Sequence, residues 1–204
     1  MNRRLVLASQ SPRRRVLLEA LGIPFVVHPS DAPEVSESGS GPKGVVMANA
    51  RAKADAVTSL FADSWILGSD TVVALGDRVF GKPRSMPEAE EMLLELQGKE
   101  HRVFTAVCLI QLESKLTELW CEETRVGFRP LTLCQIRDYL AHIDPLDKAG
   151  AYAIQEGGER IVSHVFGSLS NVVGLPLESV ELMLKRHGVQ KKGLSEGEAV
   201  KTPL

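Results

Sequence analysis

The chain has 204 residues, 44% hydrophobic and 25% charged, with a formal net charge of −2, and is long enough to bury a substantial core as one domain. A slightly acidic balance with few aromatic residues argues against a nucleic-acid polymer or an anionic membrane as partner, because both need a basic face. No apolar run approaches the roughly 20 residues of a membrane span, and the short apolar run near the N-terminus reads as a strand rather than a signal peptide.

Strand and helix patterns alternate, which predicts an α/β architecture. Leu5–Ala8 reads as a strand and Pro12–Leu21 as an amphipathic helix, with Ser11 as N-cap and Pro12 at the first helical position, where its missing N–H costs nothing. Arg3, Arg4, Arg13, Arg14 and Arg15 fall in the first fifteen residues with no acid among them. Beside a helix N-terminus they form a local anion site, and a phosphate-bearing ligand is the leading reading; solvated arginines on an ordinary capped helix are the alternative. Phe25–His28 is a short strand, and Pro29–Pro42, rich in Ser, Gly, Pro and acids, is a loop. Val45–Leu60 has helical composition, with Ala48, Ala52 and Val57 near one face and Arg51 and Lys53 elsewhere. Trp65–Leu67 and Thr71–Leu75 are expected as two strands flanking Gly68-Ser69-Asp70, followed by a short return at Val79–Gly81. Pro87–Leu96 is a helix closed by Gly98.

Arg102–Leu112 and Lys115–Phe128 read as two long paired strands, and Thr132–Ile143 as a helix capped by Thr132. Pro145–Gly158 is irregular, Ile161–Phe166 a strand, Gly167–Leu177 a strand–turn–helix junction and Leu177–His187 a last amphipathic helix. From Val189 the composition turns to Lys, Gly, Glu and Ser, so residues 189–204 are expected as a disordered tail on a single domain of residues 1–188. Cys108, Cys121 and Cys134 are odd in number and far apart; they fit neither a disulfide framework nor a zinc pattern and read as buried thiols of a reducing, cytoplasmic compartment.

Asp70 lies in the apolar run I-L-G-S-D-T-V-V, where a carboxylate is costly unless it meets a cation, a donor or water. It reads as a carboxylate that binds a metal or activates water, or as one that stabilises a local turn. Gly68 leaves room there for a close backbone approach. Lys82, in Gly81-Lys82-Pro83, suits phosphate oxygens or is simply solvated, and Lys53 falls on a helix whose alternation of Ala with charge suggests a wet face. Asp31 and Glu34, inside the Ser/Pro loop, are metal ligands or solubilising groups. The segment Asp144–Gln155 gathers Asp147, Lys148, Tyr152 and Gln155 around small residues, and the Gln155 amide, both donor and acceptor, suits the edge of a nucleobase.

Taken in order, S-x-S-P-R-R, K, G-S-D-T, G-K-P, D-K-A-G-A-Y-x-I-Q and S-N-V-V-G-L-P-L resemble the Maf family of nucleotide pyrophosphatases over roughly residues 5–187. The resemblance implies an elongated mixed β-sheet flanked by helices, with two lobes around a central nucleotide cleft. It implies hydrolysis of a nucleoside triphosphate between the α and β phosphorus, with Mg²⁺ or Mn²⁺ as cofactor and a homodimer as assembly. Ser9, Arg13, Arg14, Lys53 and Lys82 would bind the phosphate chain, Glu34 and Asp70 would hold the metal, and Asp70 would orient or deprotonate the attacking water. Gln155 would read the base. Arg13, where a 7-methyl-GTP branch typically has Trp, together with Gln155, points to the branch acting on dTTP and UTP. Glu156 and Ala153 stand where glycines are usual, and Leu169 where Tyr is common, all three expected on the base side. A non-catalytic regulator of septum formation and a pyrophosphatase for non-standard purine nucleotides or 7-methyl-GTP are the competing readings.

Overall fold

A computed structural model describes residues 4–189. Strands β1 (Leu5–Ala8), β2 (Phe25–Val27), β3 (Trp65–Leu75), β5 (Glu100–Gln111), β6 (Leu116–Phe128) and β7 (Val162–Phe166) form one sheet in the order β2-β1-β3-β5-β6-β7, and β4 (Arg78–Phe80) pairs with β3. The β1–β2 and β1–β3 pairs are parallel and the rest antiparallel, so the sheet is mixed. The parallel pairs need crossovers, and helices supply them: α1 (Pro12–Ala20) joins β1 to β2, and α2 (Gly41–Thr58) leads into β3. Helices α3 (Met86–Leu96), α4 (Leu133–Leu140), α5 (Leu169–Val173) and α6 (Leu177–Arg186) complete the chain.

The strand period of two divides the core. Val6, Ala8, Ile66, Val72, Phe104 and Ala106 pack under Val46, Ala50, Ala54 and Val57 of α2. The opposite face carries two apolar clusters. One joins Leu5, Leu7, Leu67 and Leu109 to Leu18 of α1 and Val180 and Leu184 of α6. The other joins Val73, Val103 and Val126 to Leu93 of α3 and Ile136 and Tyr139 of α4. Between these clusters the same face presents Ser69, Thr71 and Thr105, a polar seam in place of a continuous core. The two lobes expected from the resemblance correspond to these clusters.

The pairing of β3 decides where the cleft lies. On one edge β3 pairs with β5 without a break from Ile66 to Ala74. On the other it pairs with β1 over Trp65–Gly68 and with β4 over Val73–Leu75. Residues 69–72 therefore have no strand beside them on that edge. β1 stops there because the chain leaves Ala8 for the Ser11 cap of α1, with Pro12 in the first turn and the Ser11 side chain accepting from Arg14 N–H. Ligand sites of mixed and parallel sheets favour such switch points.

Several expectations are revised. Gly68-Ser69-Asp70 does not separate two strands: β3 runs through it. The close backbone approach expected at Gly68 is present and is that of α2, because a Cβ there would meet Ala50 O and come within 2.8 Å of Ala54 N. Helix α2 begins at Gly41, four residues before the expected start, with Pro42 in its first turn. Its buried face is Val45, Val46, Asn49, Ala50, Lys53, Ala54 and Val57, whereas Ala48 is exposed. The short apolar residues mislead here, since alanine sits equally well on either face. Helix α4 ends at Leu140 rather than Ile143, although Thr132 does cap it, in a reciprocal capping box with Gln135. Of the three cysteines only Cys108 is buried, and Cys134 is exposed. Val189 is buried in the cluster with Trp65 and Leu184; the rest of the expected tail, residues 190–204, lies outside the described residues. No helix among the described residues is long and apolar enough to cross a membrane.

Candidate active site

A cleft of about 580 Å³ opens at the unpaired stretch of β3 and reaches both faces of the sheet. It is lined by Ser9, Arg13, Arg14, Glu34, Lys53, Asp70, Lys82 and Gln155, so all eight residues singled out from the sequence converge on it. Asp31, the weaker candidate of the 29–40 loop, is exposed and does not line it. The ionisable lining residues are Arg13, Arg14, Lys53, Lys82 and Lys148 against Glu34, Asp70 and Asp147, an excess of positive charge in a chain whose net charge is negative.

The α2 side holds the acids. Asp70 is buried, its Oδ1 accepting from Lys53 Nζ at 2.7 Å and its Oδ2 from Asn49 Nδ2 at 3.0 Å. Lys53 also meets Glu34 Oε1 at 2.6 Å, so one ammonium bridges two carboxylates. The wet face suggested for Lys53 is thereby corrected: its side chain is 11% exposed and enters the cleft wall because the helical period places it beside Asn49 and Ala50. Burial works to raise the Glu34 carboxyl, but the Lys53 hydrogen bond and charge, with Lys82 and Arg14 behind them, hold it below the ordinary carboxylate range.

The opposite face holds the guanidinium groups. Arg14 donates from Nε to Gly174 O at 2.9 Å, from Nη1 to Ser9 Oγ at 3.3 Å and from Nη2 to Thr71 Oγ1 at 3.0 Å. Thr105 spends its hydroxyl proton on Asn171 O, so in the 3.0 Å Thr71–Thr105 contact Thr71 is the donor and its lone pairs stay available to Arg14. The seam thus orients Arg14 through neutral acceptors. Burial lowers its pKa, the nearby Asp70 carboxylate partly restores it, and Arg13 adds to the lowering. Asn171 holds the other end, its Nδ2 donating to Val103 O at 3.0 Å and Thr124 Oγ1 at 2.9 Å.

Arg13 is not free for a ligand as it stands: it donates to Asp147 Oδ2 at 2.7 Å and to the Asp147 carbonyl at 3.1 Å. Lys148, buried beside it, donates to Asp144 O at 2.7 Å and Asp147 Oδ1 at 3.0 Å and lies 3.5 Å from Glu156. Gly150, at φ +69°, lets this segment lie against Val73. Tyr152 anchors it from below, its hydroxyl 2.9 Å from Nε2 of the buried His101, with Phe128 edge-on to both rings. Lys82 and Gln155 are exposed at the rim and have no hydrogen-bond partner among the described residues. Of the three departures from the family pattern, Ala153 lines the cleft and Glu156 reaches Lys148, whereas Leu169 is exposed on α5 and does not line it.

Sequence reasoning missed Asn49, Thr71, Thr105 and Asn171 as parts of the site. A signal existed for two of them. Asn49 stands four residues before Lys53, one helical turn away on the same face, and Asn171 is the one large polar residue in an otherwise small and apolar turn.

No set of three or more His, Cys, Asp or Glu among the described residues converges to hold a metal. The available donors are the Asp70 and Glu34 carboxylates with Lys53 between them. Two hard oxygen donors suit a divalent cation that takes its remaining ligands from phosphate and water.

The family model for Maf-like proteins matches residues 4–187 of the chain. A dTTP/UTP pyrophosphatase of Myxococcus xanthus is 45% identical over 185 residues, covering 91% of this chain and 93% of the relative. Those of Pelotomaculum thermopropionicum and Bacillus anthracis are each 42% identical, covering 90% and 92% of this chain and 96% and 97% of the relatives. Among solved structures, the Staphylococcus aureus Ham1 protein superposes with a TM-score of 0.51 at 14% identity, covering 91% of this chain and all of that one, a likeness of fold alone.

Proposed function

The chain belongs to the Maf-like protein family, and on that footing we propose that it is a nucleoside triphosphate pyrophosphatase acting on dTTP and UTP. Relatives named dTTP/UTP pyrophosphatase, 42–45% identical over nine-tenths of the chain, support the reaction and the substrate class. The observation that carries it within the molecule is the cleft itself: five cations and three carboxylates lie around a gap in the sheet, with an amide, Gln155, at the rim.

A triphosphate brings about four negative charges, and fixed cations in a recessed site offset the further charge that develops at the leaving group. Arg14 is oriented in advance and meets the phosphate chain without reorganising. Lys82, long and unpartnered, closes on it from the rim. Arg13 joins by exchanging Asp147 for a phosphate oxygen. Asp70 accepts a proton from, or orients, the water whose oxygen attacks the α phosphorus. The bond from that phosphorus to the bridging oxygen breaks, and the monophosphate and pyrophosphate result. Gln155 reads the pyrimidine edge. Glu34 and Asp70 would hold Mg²⁺ or Mn²⁺, which would supply charge neutralisation at the phosphates. Since Lys53 already occupies both carboxylates, metal affinity is expected to be weak until a nucleotide contributes oxygens. A homodimer, resting on the family resemblance, and a cytoplasmic setting, resting on the cysteine usage, complete the reading.

The test is pyrophosphate release from dTTP, UTP, CTP, ITP and 7-methyl-GTP with Mg²⁺, with Mn²⁺ and with EDTA. Metal-dependent release fastest with dTTP and UTP is the expected result. Preference for ITP would favour a purine-pool role and remove Gln155 as a pyrimidine reader. No release from any nucleotide would overturn the enzymatic reading.

A further inference from the structure

Asn49 and Lys53 stand one turn apart on α2, and each takes one oxygen of Asp70. Each also reaches the 29–40 loop: Lys53 meets the Glu34 carboxylate, and Asn49 clasps the backbone of the next residue, accepting from Val35 N–H at 2.8 Å and donating to Val35 O at 3.0 Å. Asn49 is 3% exposed, and both of its amide protons and its carbonyl are engaged. A leucine would fill the same space with no polar group to satisfy, so an amide at this depth is explained by what it holds.

We propose that Asn49 is a positioning residue of the reaction: it fixes the orientation of the Asp70 carboxylate and fastens the Glu34 loop to it. The proposal rests on the pyrophosphatase reading above. Lys53 alone cannot do this, because an ammonium is a point charge on a flexible stem and sets no preferred plane for a carboxylate. The amide is directional. With one donor on each oxygen, Asp70 cannot rotate without breaking a buried hydrogen bond. Through Val35, the same amide sets where Glu34 stands relative to Asp70, so the two acids of the cleft move together or not at all.

Two variants test these contacts. Asn49→Leu removes them all; Asn49→Asp keeps an acceptor for Val35 N–H, but loses the donors toward Asp70 Oδ2 and Val35 O and sets a second carboxylate beside Asp70. The readouts are kcat and KM for dTTP, and exchange of the Val35 amide by NMR. In Asn49→Leu, kcat is expected to fall at least about 10-fold with KM within about 3-fold, since small misplacements of a reacting group cost this much or more. Val35 exchange should accelerate by a similar factor. In Asn49→Asp, kcat should fall as far while the Val35 amide stays protected. Wild-type kcat in Asn49→Asp would overturn the proposal, leaving Asn49 as a loop anchor only, and so would a rise confined to KM in either variant. If Asn49→Leu does not fold, Asn49→Asp decides alone. A wild-type protein that releases no pyrophosphate overturns the enzymatic reading instead, and the clasp on the loop is then judged by the Val35 exchange of the two variants.

Discussion

The Lys53 ammonium lies 2.7 Å from Asp70 Oδ1, with the two side chains only 11% and 7% exposed. A pair this deep is held by mutual need, since removing one partner strands the other and costs about 3–5 kcal/mol. Asp70→Asn is the gentler change: it keeps the shape, and Lys53 retains Glu34 at 2.6 Å. Turnover is expected to drop at least roughly 10²-fold with the fold intact, measured as pyrophosphate release beside circular dichroism. Near-normal turnover would remove Asp70 from the mechanism.

On the proposed reading, Asp147, which holds Arg13 at 2.7 Å, competes with the substrate for it. The pair is partly solvated, with side chains 24% and 43% exposed, so it is worth no more than about 1 kcal/mol, or about five-fold in affinity. Asp147→Asn is therefore expected to lower KM for dTTP by up to about five-fold, whereas Arg13→Ala raises it. Steady-state kinetics of the two variants check this. A raised KM in Asp147→Asn would make Asp147 a contributor to the bound state rather than a competitor.

His101 makes the fold sensitive to mild acid. Burial pushes its pKa down from 6.5 to about 4, only partly opposed by Glu100, and its Nδ1 has no partner among the described residues, so a second ring proton would have nothing to bind. As pH falls below 6.5 the unfolded chain takes up a proton that the folded one refuses. Stability then declines by about 1.4 kcal/mol per pH unit until about pH 4, roughly 3–4 kcal/mol in all. Denaturant unfolding at pH 7, 5.5 and 4.5 should show a steeper loss in wild type than in His101→Gln. Identical slopes would place the acid sensitivity elsewhere.

Gly68→Ala tests the seating of α2 on β3. The added methyl would meet the backbone at Ala50 and Ala54, which cannot yield as a flexible side chain does. A loss of about 1–3 kcal/mol is expected, together with reduced kcat, because Asn49 and Lys53 move with the helix. Gly81→Ala, where a Cβ meets nothing within 4 Å, is the control and should stay within about 0.5 kcal/mol of wild type. Equal stability of the two variants would mean that α2 can ride outward freely.

Much of this was legible in the chain. The apolar run Leu5-Val6-Leu7-Ala8, the Ser11-Pro12 start of α1 and the Thr132 cap of α4 are local signals, and local chemistry decides them. The eight site residues are legible because the series of motifs that carries them resembles the Maf family, and they line one cleft. What could not be read was which groups already hold one another. The Arg13–Asp147 pair spans 134 positions and the Arg14–Gly174 bond 160, and no periodicity encodes such distances. The burial of Lys53 escapes the sequence for a related reason. A charged residue between alanines carries no sign of its face until Asp70, seventeen positions away, arrives to neutralise it.

The gap beside residues 69–72 of β3 divides what evolution can alter cheaply from what it cannot. Asp70, the proposed reacting carboxylate, sits on β3, whose two faces both carry core, so almost any change near it disturbs a core. On the proposed reading the base-side rim is the 145–156 segment, where Gln155 and Glu156 are exposed while Ala151 and Tyr152 sit in the core below. New base preferences are therefore expected from exchanging exposed rim positions such as Gln155 and Glu156, while Asp70 and Glu34 stay with the frame that Lys53 and Asn49 hold.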